Sequence, residues 1–294
     1  MREFKNKVAV ITGAASGIGY GLSEYAAKEG MKVVLADIEE NALKKAEKDI
    51  RALGVETLAV KTDVSKADDV KALAEKTLDT FGAVHLLCNN AGVSSELTTW
   101  QSTLSDWQWV MGVNLWGVIY GVHFFVPIML KQGTECHIVN TSSIMGLFSI
   151  AGAAYTVSKH GVVALSEVLY HDLERAGSAI GVSVLCPAYI NTGIFEAERN
   201  RPAELRDVDS QQSNYMSDPK VQEMIEQARQ QAKQLHRSGM SPQKNADIVF
   251  NAVKEKKFYI LSNARQGKPM IQARMEDILQ ERNPTLPLPP LDGP

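Results

Sequence analysis

Short runs of apolar, mostly β-branched residues recur along the chain, and longer stretches in which apolar residues return every three or four positions separate them. Apolar runs of this length, bounded by turn residues, are typical of strands buried on both faces. The predicted strands are 8–12, 32–36, 57–61, 84–88, 137–141, 182–186 and 258–261. The pattern therefore predicts about seven buried strands.

The intervals between these strands have helical periodicity. The predicted helices are 17–30, 39–53, 66–82, 104–131, 153–177 and 242–256. Strands that alternate with helices favour a parallel sheet covered on both faces. We therefore expect an α/β fold, with a single doubly wound Rossmann domain over residues 1–262. Such sheets bind ligands at the carboxyl ends of their strands, so the residues just after each strand are the candidates for function.

Two regions break the alternation. Residues 193–241 are polar and rich in turn residues before a helical pattern resumes, and we expect them to form a substrate-loop insertion over the ligand edge of the sheet. Residues 263–294 follow the last strand and contain a helical segment at 267–282. The final segment NPTLPLPPLDGP is rich in proline, which excludes a helix and predicts an extended tail.

Composition and charge restrict the class of protein. The chain has 294 residues, 45% of them hydrophobic and 22% charged, with a net charge of −3, which is ordinary for a globular protein. Its charges are mixed along the chain and give no basic field to attract nucleic acid or an anionic membrane. We expect neither of these as a partner.

The termini and cysteines add little chemistry. The apolar run at the N-terminus is too short for a signal peptide, and we expect no segment to approach the ~20 apolar residues that span a bilayer. A cytoplasmic location follows as an expectation. Cys88, Cys136 and Cys186 lie far apart in apolar surroundings without the spacing of metal ligands, so we interpret them as buried and reduced and predict no metal site.

A glycine-rich turn, TGAASGIG at 12–19, follows the first predicted strand directly. Glycines permit a tight turn and let a pyrophosphate approach the N-terminus of the next helix. A sharp turn that binds nothing also needs glycine, but this spacing resembles the TGxxxGxG element of the short-chain dehydrogenase/reductase family. The candidate phosphate-binding residues are Gly13, Ser16, Gly17, Ile18 and Gly19.

The second predicted strand leads into Asp37, whose carboxylate can accept hydrogen bonds from the adenosine ribose hydroxyls. The same charge repels a 2′-phosphate, and Ser16 and Ile38 supply no cation to bind one. We therefore predict NAD(H) rather than NADP(H) as the cofactor. The alternative is that Asp37 caps the following helix.

Two further strand ends resemble elements of the same family. The segment after the third strand resembles its adenine-edge acid, and the segment NNAG after the fourth resembles its element of the same sequence. The residues that the resemblance assigns to the floor of the cofactor site are Asp63, Val64, Asn90, Ala91 and Gly92. A helix cap at Asp63 and a simple turn at NNAG are the alternatives.

The predicted catalytic group combines Ser143, which follows the fifth strand, with Tyr155 and Lys159 at the start of a helix. Positions i and i+4 share one helical face. A tyrosine has an ordinary pKa of ~10, but a neighbouring ammonium and a cationic nicotinamide both favour its phenolate. Tyr155 would then exchange a proton with an alcohol while hydride passes to or from the nicotinamide, and Ser143 would donate a hydrogen bond to the substrate oxygen. Ser142 is the competing serine, and a surface Tyr–Lys pair is the alternative.

The blocks IVNTSSIMG, YTVSKHG and CPAYINTGI match the family's active-site segments in order. The resemblance implies that Asn114 is a fourth catalytic residue, which holds a water connecting the lysine to solvent. It also implies cofactor contacts by Pro187, Ile190 and Thr192, with Tyr155 and Lys159 contacting the cofactor as well. Ala188 stands where the family usually has glycine.

We therefore expect an NAD(H)-dependent oxidoreductase that interconverts a hydrophobic secondary alcohol and its ketone. The alternatives are an NADP(H)-dependent ketone or 3-oxoacyl reductase and a non-catalytic NAD-binding regulator. We expect the substrate to be selected by 193–241 and by loops 93–103 and 144–153, with Trp100 as one pocket wall. The mainly apolar residues named for this role are Met145, Leu147, Phe148, Ile150, Ile194 and Phe195. The resemblance also implies a homodimer or homotetramer built on the helices 104–131 and 153–177.

Overall fold

A computed structural model describes residues 1–94, 99–100, 102–206, 219–263, 265 and 267–285. Within these ranges, seven strands form one parallel sheet in the order β3-β2-β1-β4-β5-β6-β7. The strands are β1 (Val8–Thr12), β2 (Lys32–Asp37), β3 (Thr57–Lys61), β4 (Leu86–Asn89), β5 (Cys136–Thr141), β6 (Ile180–Leu185) and β7 (Tyr259–Ile260). The predicted doubly wound α/β sheet is confirmed.

Nine α-helices fall within the described ranges. They are α1 (Gly17–Lys28), α2 (Glu40–Arg51), α3 (Ala67–Phe81), α4 (Leu104–Met111), α5 (Gly117–Gln132), α6 (Ala153–Arg175), α7 (Pro219–Arg237), α8 (Pro242–Lys254) and α9 (Gly267–Leu279). Short 3₁₀ turns lie at Ile144–Gly146, Ile194–Asn200 and Ala203–Leu205. The local sequence sets several of these boundaries. The hydroxyl of Ser241 caps α8 with Pro242 in its first turn, and left-handed Gly82 ends α3.

Two apolar layers cover the sheet. On one face, α1 packs against β1 and β2 and α8 packs against α1, β6 and β7, with the ring of Phe250 between those of Phe4 and Tyr25. On the other face, α3 packs against β2 and β3, α5 against β4, and α6 against β5 and β6, and they bury residues such as Leu73, Phe125 and Leu169. The sheet is thus buried on both faces, and its exposed functional edge is the row of strand ends.

Most boundaries differ from the prediction by one or two residues, and three of the differences have a clear structural form. The fourth strand begins at Leu86 rather than 84, because the backbone N–H of Val84 donates to the side chain of Gln132 instead of to a strand. The predicted helix 104–131 contains a π-helical turn at Gly112–Trp116, which separates α4 from α5. The seventh strand has only two residues.

The continuous helical stretch Leu104–Gln132 is long and apolar enough to cross a membrane, by length and composition, because an 18-residue window within it has a mean hydropathy of 1.6. The expectation that no segment approaches this length was therefore wrong, because the apolar residues of α4 and α5 form a single stretch. The core helix of an α/β domain passes the same test of length and composition, and this one packs Phe125 and Met129 against the sheet. A cytoplasmic location and the absence of a membrane partner stay predictions.

Helix α9 packs against the segment that follows β5. A Cβ at Gly267, its first residue, would lie 2.5 Å from Cγ1 of Ile144, and Met270 packs with Ile144 and Phe148. The helix therefore supports the loop that carries Ser143. Parts of the predicted loop 93–103, insertion 193–241 and proline-rich tail lie outside the described residues, at 95–98, 101, 207–218 and 286–294.

Candidate active site

A cleft of about 670 Å³ lies along the carboxyl ends of the strands. It brings together residues from all the strand-end motifs that the sequence singles out. The predicted site residues that line it are Gly13, Ser16, Gly17, Ile18, Asp37, Asp63, Val64, Asn90, Ala91, Gly92, Ser143, Tyr155, Lys159, Pro187, Ile190 and Thr192. Gly19 and Asn114 do not line the cleft but contact residues that do.

The glycine-rich turn is too closely packed for side chains. Gly13 has a φ of +65°, and a Cβ there would lie 2.9 Å from Cα of Ala91. A Cβ at Gly19 would overlap the carbonyl oxygen of Gly13, although Gly19 itself faces away from the cleft. At left-handed Gly17 a Cβ would lie 3.1 Å from the methyl group of Thr192. The glycines therefore keep the cleft open and bring the turn against both of its walls.

The N-terminus of α1 faces this cleft, and its polar groups are available to bind a ligand. Ser16 is the N-cap residue of α1, and its hydroxyl makes no capping hydrogen bond. No acidic residue lies in the first turn of the helix. A helix N-terminus without a neutralising carboxylate attracts anions through its backbone N–H groups and its dipole. These residues fit the pyrophosphate of a dinucleotide.

Asp37 is the last residue of β2 and lies beside the glycine-rich turn. Its carboxylate accepts hydrogen bonds from the backbone N–H of Ala15 at 2.9 Å and of Glu39 at 3.0 Å. Burial raises the pKa of Asp37, and these two hydrogen bonds oppose the shift. Helix α2 has Glu39 rather than Asp37 as its N-cap. The carboxylate is therefore fixed in the cleft by the backbone, at a position suited to an adenosine ribose.

Glu39 joins the insertion to the end of the cleft that contains Asp37, which we call the nucleotide end. Its carboxylate accepts hydrogen bonds from Nε of Arg199 at 2.9 Å and from the amide of Asn200 at 2.8 Å. The hydrogen bond from Asn200 and the neighbouring guanidinium lower the pKa of Glu39. Sequence reasoning missed this cross-link because the two sides are 160 residues apart.

Thr12 and Asn90 brace the ends of β1 and β4. The hydroxyl of Thr12 accepts hydrogen bonds from the backbone N–H groups of Asn90 and Ala91, at 2.9 and 3.0 Å. The Asn90 amide donates to the carbonyl of Thr12 at 3.0 Å and accepts from the hydroxyl of Thr141 at 3.2 Å. Three adjacent strand ends are therefore held in one arrangement.

Asp63 is not the cap of the following helix, because the N-cap residue of α3 is Lys66. Asp63 lines the cleft, yet its carboxylate also accepts hydrogen bonds from the backbone N–H and the hydroxyl of Ser65, at 3.0 and 2.6 Å. The adjacent Val64 is buried and packs beneath Gly117. The turn therefore presents an acid to the cleft while remaining locally hydrogen-bonded.

Ser143, Tyr155 and Lys159 converge at the opposite end of the cleft from Asp37. The Ser143 hydroxyl lies close enough to the Tyr155 side chain to lower the pKa of Tyr155 as a hydrogen-bonding group. The Lys159 ammonium lies 5.6 Å from the centre of the Tyr155 ring and donates to the carbonyl of Thr141 at 3.0 Å. Its side chain is almost fully buried in a position fixed by β5. The three predicted groups are therefore in one place.

Ser142 has a different environment from Ser143. Its hydroxyl donates to the backbone carbonyl of Lys159 at 2.8 Å. Gly146 packs directly on this serine, because a Cβ at Gly146 would overlap its hydroxyl oxygen. Of the two competing serines, Ser143 is the one whose hydroxyl acts on the pKa of Tyr155, whereas the hydroxyl of Ser142 joins β5 to α6.

Burial acts on both titratable groups of this cluster. It raises the pKa of Tyr155, and the hydrogen bond with Ser143 opposes that shift. It lowers the pKa of Lys159 to about 8. Loss of water disfavours the charged form of each group. The protein therefore holds Tyr155 mainly as the neutral phenol, and a further cation beside it is needed to favour the phenolate.

Asn114 lies in the π-helical turn, and π turns frequently occur at functional sites. Its amide oxygen accepts from the backbone N–H of Val93 at 2.8 Å, and its amide nitrogen donates to the carbonyl of Val93 and the hydroxyl of Ser158. The Asn114 oxygen and the Lys159 nitrogen both lie about 3.5 Å from the Cβ position of Gly92. Asn114 is therefore a buried neighbour of the catalytic cluster.

The segment after β6 forms the wall opposite the glycine turn. Ile190 pairs with Met240 in an isolated parallel bridge, and its carbonyl accepts a hydrogen bond from Nδ1 of His236 at 3.1 Å. The edge of the His236 ring meets the rings of Tyr189 and Phe195, at centroid distances of 5.3 and 4.7 Å. Burial lowers the pKa of His236. This cluster therefore contributes an apolar, aromatic surface.

The residues expected to select the substrate mostly line the cleft, with two exceptions. Leu147 packs in the core instead of lining the cleft. Trp100 is 73% exposed and also lies away from it, so its assignment as a pocket wall is wrong. The tryptophan of the wall is Trp109, which the helical pattern places in the core and which packs beside Tyr155.

The 194–206 part of the insertion is anchored by a buried ion pair. Arg201 pairs with Asp106 at 2.7 Å, and the two side chains are 9% and 5% exposed. The guanidinium also lies over the ring of Trp109, 5.2 Å from its centre. Asp106 in addition closes the capping box of α4 with Thr103. The insertion is therefore fixed to α4 beside the end of the cleft that contains Tyr155, which we call the substrate end.

A parallel sheet whose strand ends hold a glycine turn, a buried carboxylate and a Ser–Tyr–Lys cluster defines a Rossmann oxidoreductase site for a nicotinamide dinucleotide. The particular family follows from direct comparison. The family model for short chain dehydrogenases matches residues 7–203, and the chain belongs to this family. Its members include dehydrogenases that act on alcohols.

Individual relatives give the same assignment. The chain is 36% identical to a CLA biosynthesis dehydrogenase/reductase of Lactiplantibacillus plantarum, covering 100% of this chain and 99% of that protein. It is 41% identical to a cyclohexanol dehydrogenase of an Acinetobacter species, covering 66% of this chain and 76% of that one. A short chain dehydrogenase/reductase of Burkholderia phymatum, solved in complex with NAD, is 46% identical with a TM-score of 0.91, covering 98% and 99% of the two chains.

Proposed function

We propose that the protein is an NAD(H)-dependent oxidoreductase that interconverts a hydrophobic secondary alcohol and its ketone. The observation that carries this proposal is the Ser143–Tyr155–Lys159 cluster at one end of a cleft whose other end holds the backbone-fixed carboxylate of Asp37. Asn114 is the fourth member of the proposed catalytic group. Its side chain lies near Gly92 and Lys159, where it would hold a water that connects Lys159 to solvent.

The proton steps belong to this chain's own residues. In alcohol oxidation, the Tyr155 oxygen accepts the hydroxyl proton, and in ketone reduction it returns that proton to the alkoxide. Ser143 donates a hydrogen bond to the same substrate oxygen as charge develops on it. Lys159 holds positive charge beside the Tyr155 ring and favours the phenolate. The bound nicotinamide supplies or accepts the hydride and, when oxidised, adds the cation that the buried tyrosine needs.

The choice of NAD(H) rests on the acidic end of the cleft. Asp37 and Glu39 place two carboxylates where a 2′-phosphate would have to bind, and Arg199 is already paired with Glu39. The related Burkholderia protein in complex with NAD is in agreement. The proposed cofactor site also includes the glycine turn and the segments 63–64, 90–92 and 187–192.

The substrate class rests on the lining of the other end. Trp109, Met145, Phe148, Phe195 and Met270 give an apolar surface around Tyr155. Such a surface favours an apolar alcohol over a small, strongly charged one. Among the relatives, the cyclohexanol dehydrogenase is named for an alcohol of this class.

We also propose that the protein assembles as a homodimer or homotetramer through α5 and α6. Both helices present apolar side chains to solvent, including Leu130 of α5 at 46% exposure and Val168 of α6 at 57%. Exposed apolar residues that share one face favour association. Solution scattering that gives the mass of a monomer would overturn this part of the proposal.

The test is absorbance of the reduced nicotinamide while the protein is mixed with hydrophobic secondary alcohols and either NAD⁺ or NADP⁺. We expect turnover with NAD⁺ and a fall in kcat of roughly 10²–10⁴-fold in Tyr155→Phe, because a positioned general base contributes about that factor. Turnover with NADP⁺ alone would favour the ketone or 3-oxoacyl reductase alternative. NAD⁺ binding without turnover of any alcohol would favour the non-catalytic regulator.

A further inference from the structure

A second cavity, of about 290 Å³, adjoins the substrate end of the cleft. Phe148, Ile150 and Met270 line both spaces and form the wall between them. The rest of its lining comes from Ser149, from α9 and from the residues after α9. Because the wall consists of apolar side chains, including a flexible methionine, an apolar chain that passes between the two spaces would contact the same three residues.

One cation in this second cavity has no counter-ion in the part of the chain that the structure describes. Arg274 is half-buried on α9 and lines the cavity, and over the described ranges it makes no hydrogen bond or ion pair. Its neighbour Arg282 differs, because it pairs with Asp277 at 3.0 Å. The Asp277 carboxylate is also occupied by the backbone N–H and hydroxyl of Thr285, both at 2.8 Å.

The surroundings of Arg274 therefore combine apolar walls with one unpaired guanidinium. A guanidinium presents a planar fork of N–H donors, and a carboxylate matches that fork with two parallel hydrogen bonds. Withdrawal of the guanidinium from bulk water strengthens such a pair. An anion at the end of an apolar chain is the chemistry that fits both features of the cavity.

We propose that the second cavity receives the far end of the substrate and that Arg274 binds a carboxylate there. The substrate class is then a long, apolar hydroxy acid or oxo acid, with its reacting carbon at Tyr155 and its carboxylate at Arg274. This inference rests on the proposed oxidoreductase function, since it extends the same substrate site. It differs from a small charged hydroxy acid, whose carboxylate would have to lie among the apolar residues beside Tyr155.

The first experiment measures binding without turnover. Isothermal titration of the full-length protein with dodecanoate and with methyl dodecanoate compares the free acid and its neutral ester. We expect dodecanoate to bind at least tenfold more tightly than the ester. Arg274→Met should lose this preference, and Arg274→Lys should recover part of it. Lys268→Met, which removes an exposed cation from the same helix but away from both cavities, is the matched control and should keep the preference.

The second experiment measures kcat/KM for secondary hydroxy acids of increasing chain length and for their methyl esters. We expect the ratio of acid to ester to rise once the chain is long enough to reach Arg274, and to fall by roughly tenfold or more in Arg274→Met. Equal use of acid and ester by the unmodified protein, or an unchanged ratio in Arg274→Met, would overturn the inference.

The two experiments separate this inference from the proposed function. Alcohol turnover without an Arg274-dependent acid preference would retain the oxidoreductase and reject the carboxylate site. Arg274-dependent binding of dodecanoate without turnover of any alcohol would support the carboxylate site and reject the oxidoreductase.

Discussion

The nucleotide end and the substrate end of the cleft are built in different ways. At the nucleotide end, hydrogen bonds from the backbone hold the strand ends in place. The Thr12 hydroxyl accepts hydrogen bonds from two backbone N–H groups, and the Asp37 carboxylate accepts hydrogen bonds from two others. At the substrate end, side chains from segments far apart in sequence line the same space. They include Trp109 of α4, Phe148 after β5 and Met270 of α9.

This difference has a physical consequence. Backbone hydrogen bonds and glycines impose a fixed geometry, because each donor has one partner and a side chain at Gly13 or Gly19 would overlap a neighbour. Apolar walls impose only volume and shape, and many combinations of side chains satisfy those. One end of the cleft is thus suited to a constant ligand, whereas the other can be remade for different substrates.

The largest expected effect comes from Arg201→Met, which leaves Asp106 buried without its counter-ion. Loss of one partner of a buried ion pair costs about 3–5 kcal/mol. We expect chemical denaturation to report a loss of this size, and alcohol turnover to decline more than NAD⁺ affinity. Arg199→Met, which breaks an exposed pair, is the control and should cost less than about 1 kcal/mol. Equal losses in the two variants would contradict the role of Arg201 as the anchor of the insertion.

The two serines after β5 give the next largest contrast. Ser143→Ala removes the hydroxyl that acts on the pKa of Tyr155. We expect kcat to fall by roughly 10²–10³-fold, with NAD⁺ affinity retained. Ser142→Ala removes the bond to the Lys159 carbonyl, so its main effect should be a loss of about 1 kcal/mol of stability. Steady-state kinetics and thermal unfolding of both variants provide the measurement. A larger fall in kcat for Ser142→Ala would reverse the assignment.

The reaction should also respond to pH with opposite sign in its two directions. Burial raises the pKa of Tyr155, so the phenolate needed for oxidation is scarce at neutral pH and increases as pH rises. We expect kcat/KM for alcohol oxidation to climb by up to about tenfold per pH unit between pH 6 and 8. Above about pH 8, Lys159 loses its charge and the gain should level off. Ketone reduction, which needs the neutral phenol, should instead decline at high pH.

The smallest expected effect is at the cross-link between the two sides of the cleft. Glu39→Gln weakens the exposed bond to Arg199, and such pairs contribute about 0–1 kcal/mol. We expect NADH to dissociate roughly two- to fivefold faster in stopped-flow fluorescence, by a factor that shrinks as salt is added. Glu40→Gln, which breaks the exposed pair with Lys44 on the same helix, is the control. Equal dissociation rates in the two variants would show that the cross-link does not retain the cofactor.

Sequence reasoning reached the nucleotide end almost completely, because each motif there lies at the end of a strand that the apolar pattern predicts. It placed Ser143, Tyr155 and Lys159 for the same reason. It failed at Trp100 and Trp109, since an apolar helical pattern does not reveal which tryptophan faces a cleft. It also missed His236 and Met270, which reach the cleft only through the packing of α7 and α9.

The sequence by itself determined the parallel sheet, the glycine turn and the residue types of the catalytic group, because these depend on local periodicity and on spacing within one strand–turn–helix unit. Only the tertiary structure decided which distant charges meet. Glu39 pairs with Arg199, Asp106 pairs with Arg201, and Arg274, beside the substrate cleft, has no charged partner among the described residues. The physical reason is that an ion pair depends on distance in space, and no local pattern in the chain records that distance.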